Sequence, residues 1–580
     1  MRHPLQWIFA AAALAMAVVG TYWIVTTAKQ PEPAPAVDIT GKPKLVVLVV
    51  FDQMRGDYLQ KWQPLFGEGG FKRLQTDGAW FTNCHYPYAY TLTAAGHTSL
   101  ATGAVPAHHG IPANEWYDRA TSETVTSVMP PPEDLSKGPG PYRRKAESIG
   151  DVLLRVLLGR GRVASLSIKD RSAILLAALR AHICYWFNTQ NGNFITSPYY
   201  RPDPHSWATK FNKTRMADKW LDKNWNRFNP NLDYAKHSGP DEFITEGTGY
   251  LQGQTFPHPF KLGNDPKDEP GNKRNYYDAV VCSPMGSELL LEFAKTAIVS
   301  EKLGQSDSVD LLCISFSSND LIGHSWGPDS QEVLDVTLRS DVIIRELLNL
   351  LDDKVGKDNY YFAVSADHGV CPLPEFAKAQ GQDAGRVEPE LLTSKAEEFL
   401  NKKFLPEGKK APWFDQPKRG NAWVYLNHGT LTELKLPQTD VETALAQWFT
   451  SQPGVAQAFT RTELLREAPK EPSEHFLSVQ RSFRADCLGD VMVVLKPYHI
   501  FSPPNLSKNP SKYPSYRASH GMPHPYDTHV PLLVMGPRIQ AGVRDDRIAP
   551  QAMASILAEA LRVPAPKDAT YSLPAELFKK

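Results

Sequence analysis

Residues 309–324 read VDLLCISFSSNDLIGH, and this stretch decides the fold class. Its first half, Val309 to Phe316, is mostly apolar, which is typical of a strand buried in a parallel sheet. Its second half carries Asp320 and His324, a carboxylate and an imidazole at positions i and i+4. Ligands of open α/β proteins bind beyond the carboxyl ends of the strands. The stretch therefore predicts an α/β protein with a polar site at the end of this strand.

Two more segments repeat the pattern. Lys44 to Phe51 (KLVVLVVF) predicts a buried strand that ends at Asp52, and Tyr360 to Ser365 predicts another that leads to Asp367 and His368. Aspartate and histidine are the oxygen and nitrogen ligands that Zn²⁺ accepts, at ~2.0–2.2 Å. Several of them at predicted strand ends indicate a two-metal site, although a chance pair or a polar loop end is the commoner explanation of any one motif alone.

Further motifs complete an ordered series. Residues 91–99 read TLTAAGHTS, and His520 lies shortly before a strand-like run from His529 to Met535. With these motifs the chain resembles the alkaline phosphatase superfamily, in the branch that contains the nucleotide pyrophosphatase/phosphodiesterases and the phosphate-irrepressible periplasmic alkaline phosphatases. The resemblance extends from Lys44 to about Pro537. It implies an alkaline-phosphatase-like α/β fold, in which helices flank a central, mostly parallel sheet that carries cap insertions.

The resemblance also implies two Zn²⁺ ions and their ligands. One zinc would be held by Asp320, His324 and His520. The other would be held by Asp52, Asp367 and His368, with Thr93 bound to it as the nucleophile. A clamp of two metals ~4 Å apart stabilises the attacking and the leaving oxygen of an in-line displacement. The implied reaction is hydrolysis of a phosphate ester through a covalent phosphothreonine.

The residues around Thr93 support its choice as nucleophile. Ala94 to Ala101 is rich in helix formers and small residues, so Thr93 is predicted to be the N-cap of a helix. Its oxygen would there lie beside backbone N–H groups that can receive phosphate. Thr91 is the alternative nucleophile, and helix capping alone would also explain a threonine at this position. We expect His97 to be a structural core residue rather than a ligand.

The substrate class depends on charge. After the predicted strand Arg162 to Ile168, Lys169 and Arg171 form a K-x-R pair that resembles the phosphate-binding pair of the monoesterases. Residues i and i+2 of a strand share a face, so both side chains could reach one phosphate group. Asn114 matches the family residue that binds a phosphoryl oxygen. These residues predict a phosphate monoester hydrolase, an alkaline phosphatase. The alternative is a phosphodiesterase/nucleotide pyrophosphatase with the same zinc site, in which the pair is ordinary solvated charge.

Composition and motifs limit the other classes of function. The 63 basic and 63 acidic residues give no net charge, so no nucleic-acid surface is expected. The C-x-P-x-R pattern of sulfatases is absent. A zinc-dependent phosphotransferase for lipid or sugar head groups usually has several spanning helices, and a binding protein on this fold would lack a ligand or the nucleophile. We therefore expect small phosphate monoesters as substrates, and a monomer.

Length and patterning predict the domain organisation. Residues 45–580 are expected to form one catalytic domain, with insertions at about 185–275 and 385–484. The first insertion is rich in aromatic residues and would be either an ordered cap over the site or a surface covering. The second would be a small α+β insert.

The N-terminus predicts export. The run from Trp7 to Val25 is almost wholly apolar and approaches the ~20 residues that span a bilayer. Residues 1–28 are therefore predicted to be an uncleaved signal anchor, with a cleaved signal peptide as the alternative. Residues 29–44 read as a proline-rich linker. Both alternatives place the catalytic part in the periplasm or cell envelope, and a retained helix would anchor it to the inner membrane.

Overall fold

The structure, a computed structural model, describes residues 42–243, 245–262, 274–415, 422–502 and 516–579. The predicted signal anchor (1–28) and most of the predicted linker (29–44) lie outside these residues. Within the described part of the chain, no helix combines the length and the apolar character needed to cross a membrane.

The strands of the described residues are β1 (Leu45–Phe51), β2 (Ala79–Phe81), β3 (Glu115–Asp118), β4 (Glu123–Thr126), β5 (Val163–Ser167), β6 (Ile183–Asn188), β7 (Asn193–Ile195), β8 (Asn224–Trp225), β9 (His258–Pro259), β10 (Asp310–Phe316), β11 (Tyr360–Ser365), β12 (Gly385–Val387), β13 (Trp423–Val424), β14 (Val455–Thr460), β15 (Val491–Leu495), β16 (His499–Phe501), β17 (Leu532–Met535) and β18 (Gly542–Arg544). Nine of these strands form one central sheet in the order β18-β2-β17-β11-β1-β10-β5-β6-β7. Strands β11, β1, β10, β5 and β6 are parallel to their neighbours within that run. Strand β17 is antiparallel to both β11 and β2. The mostly parallel sheet confirms the predicted α/β fold.

Helices connect and cover the strands. The α-helices span Tyr58–Lys61, Phe71–Asp77, Thr93–Thr102, Pro106–His109, Ile149–Val156, Asp170–Leu176, Ser206–Lys213, Tyr234–Ser238, Arg274–Val281, Pro284–Ser300, Ser318–Trp326, Gln331–Lys354, Pro374–Ala379, Pro389–Phe404, His428–Glu433, Gln438–Thr450, Arg461–Leu464, Glu474–Ser482, Pro525–Thr528 and Ala552–Leu561. Short 3₁₀ helices span Gln63–Leu65, Pro132–Lys137, Met216–Trp220 and Lys357–Asn359.

Strand β1 places the polar residues that follow the central strands at one edge. All seven of its residues are buried, as its continuous apolar sequence predicts. It pairs in parallel with β10 on one side and β11 on the other, and Val50 is level with Ser315 and Ser365. The three strands therefore end at the same edge of the sheet. At this edge the Asp52 N–H donates to the Phe316 carbonyl over 3.0 Å.

The two insertions differ from their predicted bounds. Strands β6 and β7 belong to the central sheet, so the first insertion begins after Ile195 rather than near residue 185. In the second, β13, β15 and β14 form an antiparallel sheet against which the helix Gln438–Thr450 packs. Because β15 is Val491–Leu495, this unit extends past residue 484. Sequence patterns predict these bounds poorly, because the strands of a central sheet and those of an insertion have the same kind of sequence.

Candidate metal centre and nucleophile

Three carboxylates and one lysine meet at the carboxyl edge of the central strands. Asp52 directly follows β1, Asp320 lies in the first turn of the helix after β10, and Asp367 follows β11. The Lys169 ammonium donates to Asp52 Oδ2 over 2.7 Å and to Asp320 Oδ2 over 2.5 Å. The side chains of the lysine and both partners are at most 8% exposed. The predicted strand-end residues are thus brought together in one buried cluster.

Two overlapping groups of side chains in this cluster have the composition and spacing of metal sites. One group is Asp52, Asp367 and His368, and the other is Asp320, His368 and His520. In each group one ligand atom per residue lies within 4.8 Å of the others. His324 belongs beside the second group, since its Nε2 lies 3.2 Å from Asp320 Oδ1. All six residues predicted as protein ligands of the two zincs therefore lie together, and His368 lies between the two groups.

Backbone carbonyls orient the three histidines. Each Nδ1 donates to a carbonyl oxygen: His324 to Ala518 (2.7 Å), His520 to Thr91 (2.7 Å) and His368 to Gly369 (2.9 Å). With Nδ1 protonated, Nε2 keeps its lone pair for a metal, which is the arrangement usual for metal-binding histidines. Burial lowers the pKa of His368 and His520, so both are neutral at pH 7.

Two buried oxygens test whether a cation fits. Asp52 Oδ1 is buried and has no hydrogen-bond partner. Asp367 Oδ2 is also buried, and the proton of His97 Nδ1, 3.1 Å away, goes to the nearer Thr93 carbonyl at 2.8 Å. The two carboxylate oxygens lie 3.6 Å and 3.4 Å from His368 Nε2. An unsatisfied buried carboxylate oxygen is costly. A divalent cation between these three atoms would satisfy both oxygens and the imidazole, so the residues present fit a metal.

The charges of the cluster are not balanced by protein groups alone. Burial raises the pKa of Asp52 well above its ordinary value, and the Asp367 carboxylate adds to this rise. Burial opposes ionisation of Asp320 too, but the Lys169 ammonium outweighs it and holds that pKa well below the ordinary value. Burial would lower the pKa of Lys169, yet the two carboxylates raise it. One lysine cannot neutralise all three aspartates, and Asp52, whose pKa is raised, is left to bind a proton or a cation.

Thr93 lies beside this cluster but is not the helix N-cap. The helix spans Thr93–Thr102 and its N-cap residue is Leu92, so Thr93 is the first helical residue and the predicted cap is wrong by one position. The capping oxygen comes from elsewhere, because Asn114 Oδ1 accepts the Ala94 N–H over 2.9 Å. Thr93 Oγ1 lies 3.5 Å from His368 Nε2. Sequence spacing cannot show that a residue distant in the chain caps a helix.

His97 occupies the structural position that we expected. It is fully buried, its Nε2 lies 2.7 Å from Ser315 Oγ, and its Nδ1 lies 2.8 Å from the Thr93 carbonyl. Nδ1 is also 3.1 Å from Asp367 Oδ2. The ring thus fixes the first turn of the Thr93 helix against β10 and Asp367.

The prediction that Lys169 and Arg171 share one face of a strand is wrong. Strand β5 ends at Ser167, Lys169 is the N-cap residue of the next helix, and Arg171 is inside that helix. Their side chains are nevertheless close enough for the Arg171 charge to oppose that of Lys169. The Arg171 side chain is 28% exposed, whereas that of Lys169 is 8% exposed. The pair therefore comes together through a strand-to-helix turn rather than through strand alternation.

Gln53 is a residue of the cluster that the sequence reasoning missed. Its N–H donates to Asp367 Oδ1 over 3.0 Å, and its side-chain amide donates to Asp320 Oδ1 over 2.7 Å. Its φ of +68° is uncommon for a residue other than glycine. A Cβ at Gly323 would lie 1.9 Å from Gln53 Oε1, so any other residue there would push the Gln53 amide out of this position. The one hint in the sequence is that Gln53 follows Asp52.

Comparisons with known proteins agree with this geometry. The model of the type I phosphodiesterase / nucleotide pyrophosphatase family matches residues 46–498. Alkaline phosphatase PhoV of Synechococcus elongatus is 31% identical over 559 residues, which cover 95% of this chain and 96% of PhoV. Alkaline phosphatase PafA of Elizabethkingia meningoseptica is 31% identical over 509 residues, which cover 86% of this chain and 88% of PafA. The crystal structure of wild-type PafA superposes with a TM-score of 0.81 at 28% identity, over 93% of this chain and 99% of that one. The chain therefore belongs to the type I phosphodiesterase / nucleotide pyrophosphatase family.

Proposed function

We propose that this protein is a zinc-dependent alkaline phosphatase, which hydrolyses small phosphate monoesters through a covalent phosphothreonine and releases inorganic phosphate. The observation that carries the proposal is the position of Thr93. Its hydroxyl oxygen lies 3.5 Å from Nε2 of His368, the histidine common to both groups of metal-binding side chains. The family and the names of the relatives over nearly the whole chain support the same reading.

The metal ligands are assigned as the sequence predicts. One zinc would bind Asp320, His324 and His520, and the other would bind Asp52, Asp367, His368 and Thr93. When bound, two Zn²⁺ ions would supply positive charge to the attacking, phosphoryl and leaving oxygens. Mixed aspartate and histidine ligands fit Zn²⁺, and the two unsatisfied carboxylate oxygens support a cation at the second position.

The chain's own residues account for the chemistry. The Thr93 oxygen loses its proton to solvent and bonds to phosphorus as the bond to the leaving oxygen breaks. The alcohol takes a proton from solvent and departs. A water molecule then attacks the phosphothreonine, which restores the Thr93 hydroxyl and frees phosphate. Because the Asn114 oxygen is engaged by the Ala94 N–H, its amide nitrogen is the end that would donate to a phosphoryl oxygen.

Lys169 and Arg171 favour a monoester over a diester. The Lys169 ammonium contacts Asp52 and Asp320, so it lies within the proposed site, and it would be available to a phosphate oxygen when cations neutralise these carboxylates. A monoester dianion needs this extra positive charge, and a diester monoanion needs less. Arginine can grip two phosphate oxygens at once, whereas lysine acts as a point charge.

The test compares a monoester and a diester with one leaving group, p-nitrophenyl phosphate and methyl p-nitrophenyl phosphate, on zinc-loaded protein. A charged hydrogen bond is worth ~1.5–3 kcal/mol, so Arg171→Ala should lower monoester kcat/KM at least roughly tenfold. The diester rate should change little. Lys169→Ala should act in the same direction. Equal losses on both substrates, or a wild type that prefers the diester, would favour the phosphodiesterase alternative.

Export is part of the proposal and rests on the apolar N-terminal sequence. The catalytic part would lie in the periplasm or cell envelope, anchored by residues 1–28 if these are retained. Cell fractionation, with N-terminal sequencing of the mature protein, tests both statements. Activity confined to the cytoplasmic fraction would contradict export, and a mature N-terminus beyond residue 28 would contradict anchoring.

A further inference from the structure

An exposed aromatic side chain lies against the candidate metal centre. The rings of Tyr516 and His324 have their centroids 4.9 Å apart and are inclined by 48°. Tyr516 is 55% exposed, and His324 is buried beneath it. Tyrosine is enriched among the residues that dominate binding energy, because its ring offers a large apolar face and a polar tip. The exposed face of Tyr516 is therefore a candidate contact surface for a ligand.

The backbone beside Tyr516 is held firmly. The N–H groups of Arg517 and Ala518 donate to the His324 carbonyl over 2.7 Å and 3.1 Å. The Ala518 carbonyl in turn accepts from His324 Nδ1 over 2.7 Å. Three hydrogen bonds thus tie this segment to one metal-binding residue. A ring on so constrained a backbone can contact a ligand without a large loss of conformational freedom.

The ring also lies near the residues proposed to bind phosphate. The ring packs on His324, whose Nε2 lies 3.2 Å from Asp320 Oδ1. Asp320 and Lys169 are in direct contact with each other, and Arg171 is the more exposed member of the phosphate-binding pair. Tyr516 is therefore on the open side of the cluster, where the organic part of a phosphate ester must project into solvent.

We propose that Tyr516 is a specificity-determining residue, whose exposed ring forms a stacking surface for the leaving group and favours phosphate monoesters of aromatic alcohols or nucleosides over those of small aliphatic alcohols. This inference rests on the proposed phosphatase function. Aromatic pairs gain stability beyond the area that they bury, and the contact is made equally in the ground state and the transition state. Tyr516 should consequently affect KM more than kcat.

The test uses phenyl phosphate and methyl phosphate as probes on zinc-loaded wild type, Tyr516→Ala and Tyr516→Phe. Tyr516→Ala should raise KM for phenyl phosphate roughly three- to tenfold, with kcat nearly unchanged. KM for methyl phosphate should stay within about twofold, and Tyr516→Phe should resemble wild type on both esters because the ring is kept. The matched control is Phe228→Ala, which removes another exposed aromatic ring, 44% exposed and packed on Arg339 away from the centre. This control should leave both KM values unchanged.

The outcomes distinguish a failure of the Tyr516 inference from a failure of the proposed phosphatase function. If Tyr516→Ala changes both esters equally, or binds less zinc than wild type, Tyr516 only supports His324 and the specificity role is overturned. If Tyr516→Phe fails as Tyr516→Ala does, the hydroxyl rather than the ring acts, and the stacking surface is overturned. A zinc-loaded wild type that hydrolyses neither ester would refute the phosphatase function itself, and this inference with it.

Discussion

Replacing Lys169 with methionine should make the stability of the protein depend on a bound cation. The Lys169 ammonium lies 2.7 Å from Asp52 Oδ2 and 2.5 Å from Asp320 Oδ2, and the lysine side chain is 8% exposed. Removing one partner of a buried ion pair typically costs ~3–5 kcal/mol, because the other charge stays buried. Asp52 can relieve part of this cost by binding a proton, since burial and Asp367 already raise its pKa. We therefore expect a loss of about 3 kcal/mol, at the lower end of that range.

With zinc bound, the same substitution should cost much less. The cations then supply the positive charge that the carboxylates need and Lys169 no longer neutralises them, so the loss should fall to about 1 kcal/mol or less. Urea unfolding of wild type and Lys169→Met, each after chelation and with excess zinc, measures both values. The matched control is Arg171→Met, whose side chain is 28% exposed and whose ion pair with Asp170 spans 4.0 Å. It should lose no more than ~1 kcal/mol in either condition.

The test is the difference between the stability losses of Lys169→Met after chelation and with excess zinc. An equal loss for Lys169→Met with and without zinc would refute the reasoning, because Lys169 would then stabilise the fold in some way unrelated to carboxylate charge. A large loss for the Arg171 control in the chelated protein would show that the positive charge of the whole pair matters, and not the contacts of Lys169.

Three other predictions concern the nucleophile, the ligands and a buried acid. Acid quenching during turnover should trap phosphate on Thr93 and none in Thr93→Ala, as detected by peptide mass spectrometry; phosphate on Thr91 would contradict this choice. Chelation should abolish hydrolysis and zinc restore it, and Asp320→Ala should hold less zinc by elemental analysis because two histidine Nε2 atoms lie within 4 Å of its carboxylate; full activity in metal-free protein would contradict the zinc site. Burial, with the Glu332 charge, raises the pKa of Glu246 from 4.5 to about 10. The protonated carboxyl of Glu246 therefore contributes its full stability below the unfolded-state pKa, and this contribution is lost as the pH rises towards 10. Between about pH 5 and about pH 8, the free energy of unfolding in urea should consequently fall less for Glu246→Gln than for wild type. Parallel losses in both proteins would contradict this assignment.

The strands and the polar residues at their ends were predictable because their physical causes are local. Val309–Phe316 and Lys44–Phe51 are mostly apolar, which is typical of buried strands, and their parallel pairing brings Asp52 and Asp320 to one edge. Ligands of open α/β proteins bind beyond the carboxyl ends of the strands, so this edge could be assigned to the site without further information about the chain.

The parts that the sequence did not predict depend on distant contacts. Asn114 caps the Thr93 helix in place of Thr93 itself, and the Gln53 amide reaches Asp320, 267 residues further along the chain. Lys169 and Arg171 meet through a turn that follows β5 earlier than the apolar pattern suggests. Local sequence restricts backbone conformation, but it carries no information about which distant side chain completes a hydrogen bond.

The hydrogen bond from His520 to the Thr91 carbonyl has a consequence for folding. It joins residues 429 positions apart, and the Gln53 N–H joins Asp367 across 314 positions. Contacts of such long sequence separation form slowly, because a large loop must close before they contribute any stability. No N-terminal fragment that ends before His520 contains the full set of proposed ligands. A ribosome-bound or truncated chain that ends before His520 would contain β1, β5, β10 and β11 but would lack a proposed ligand.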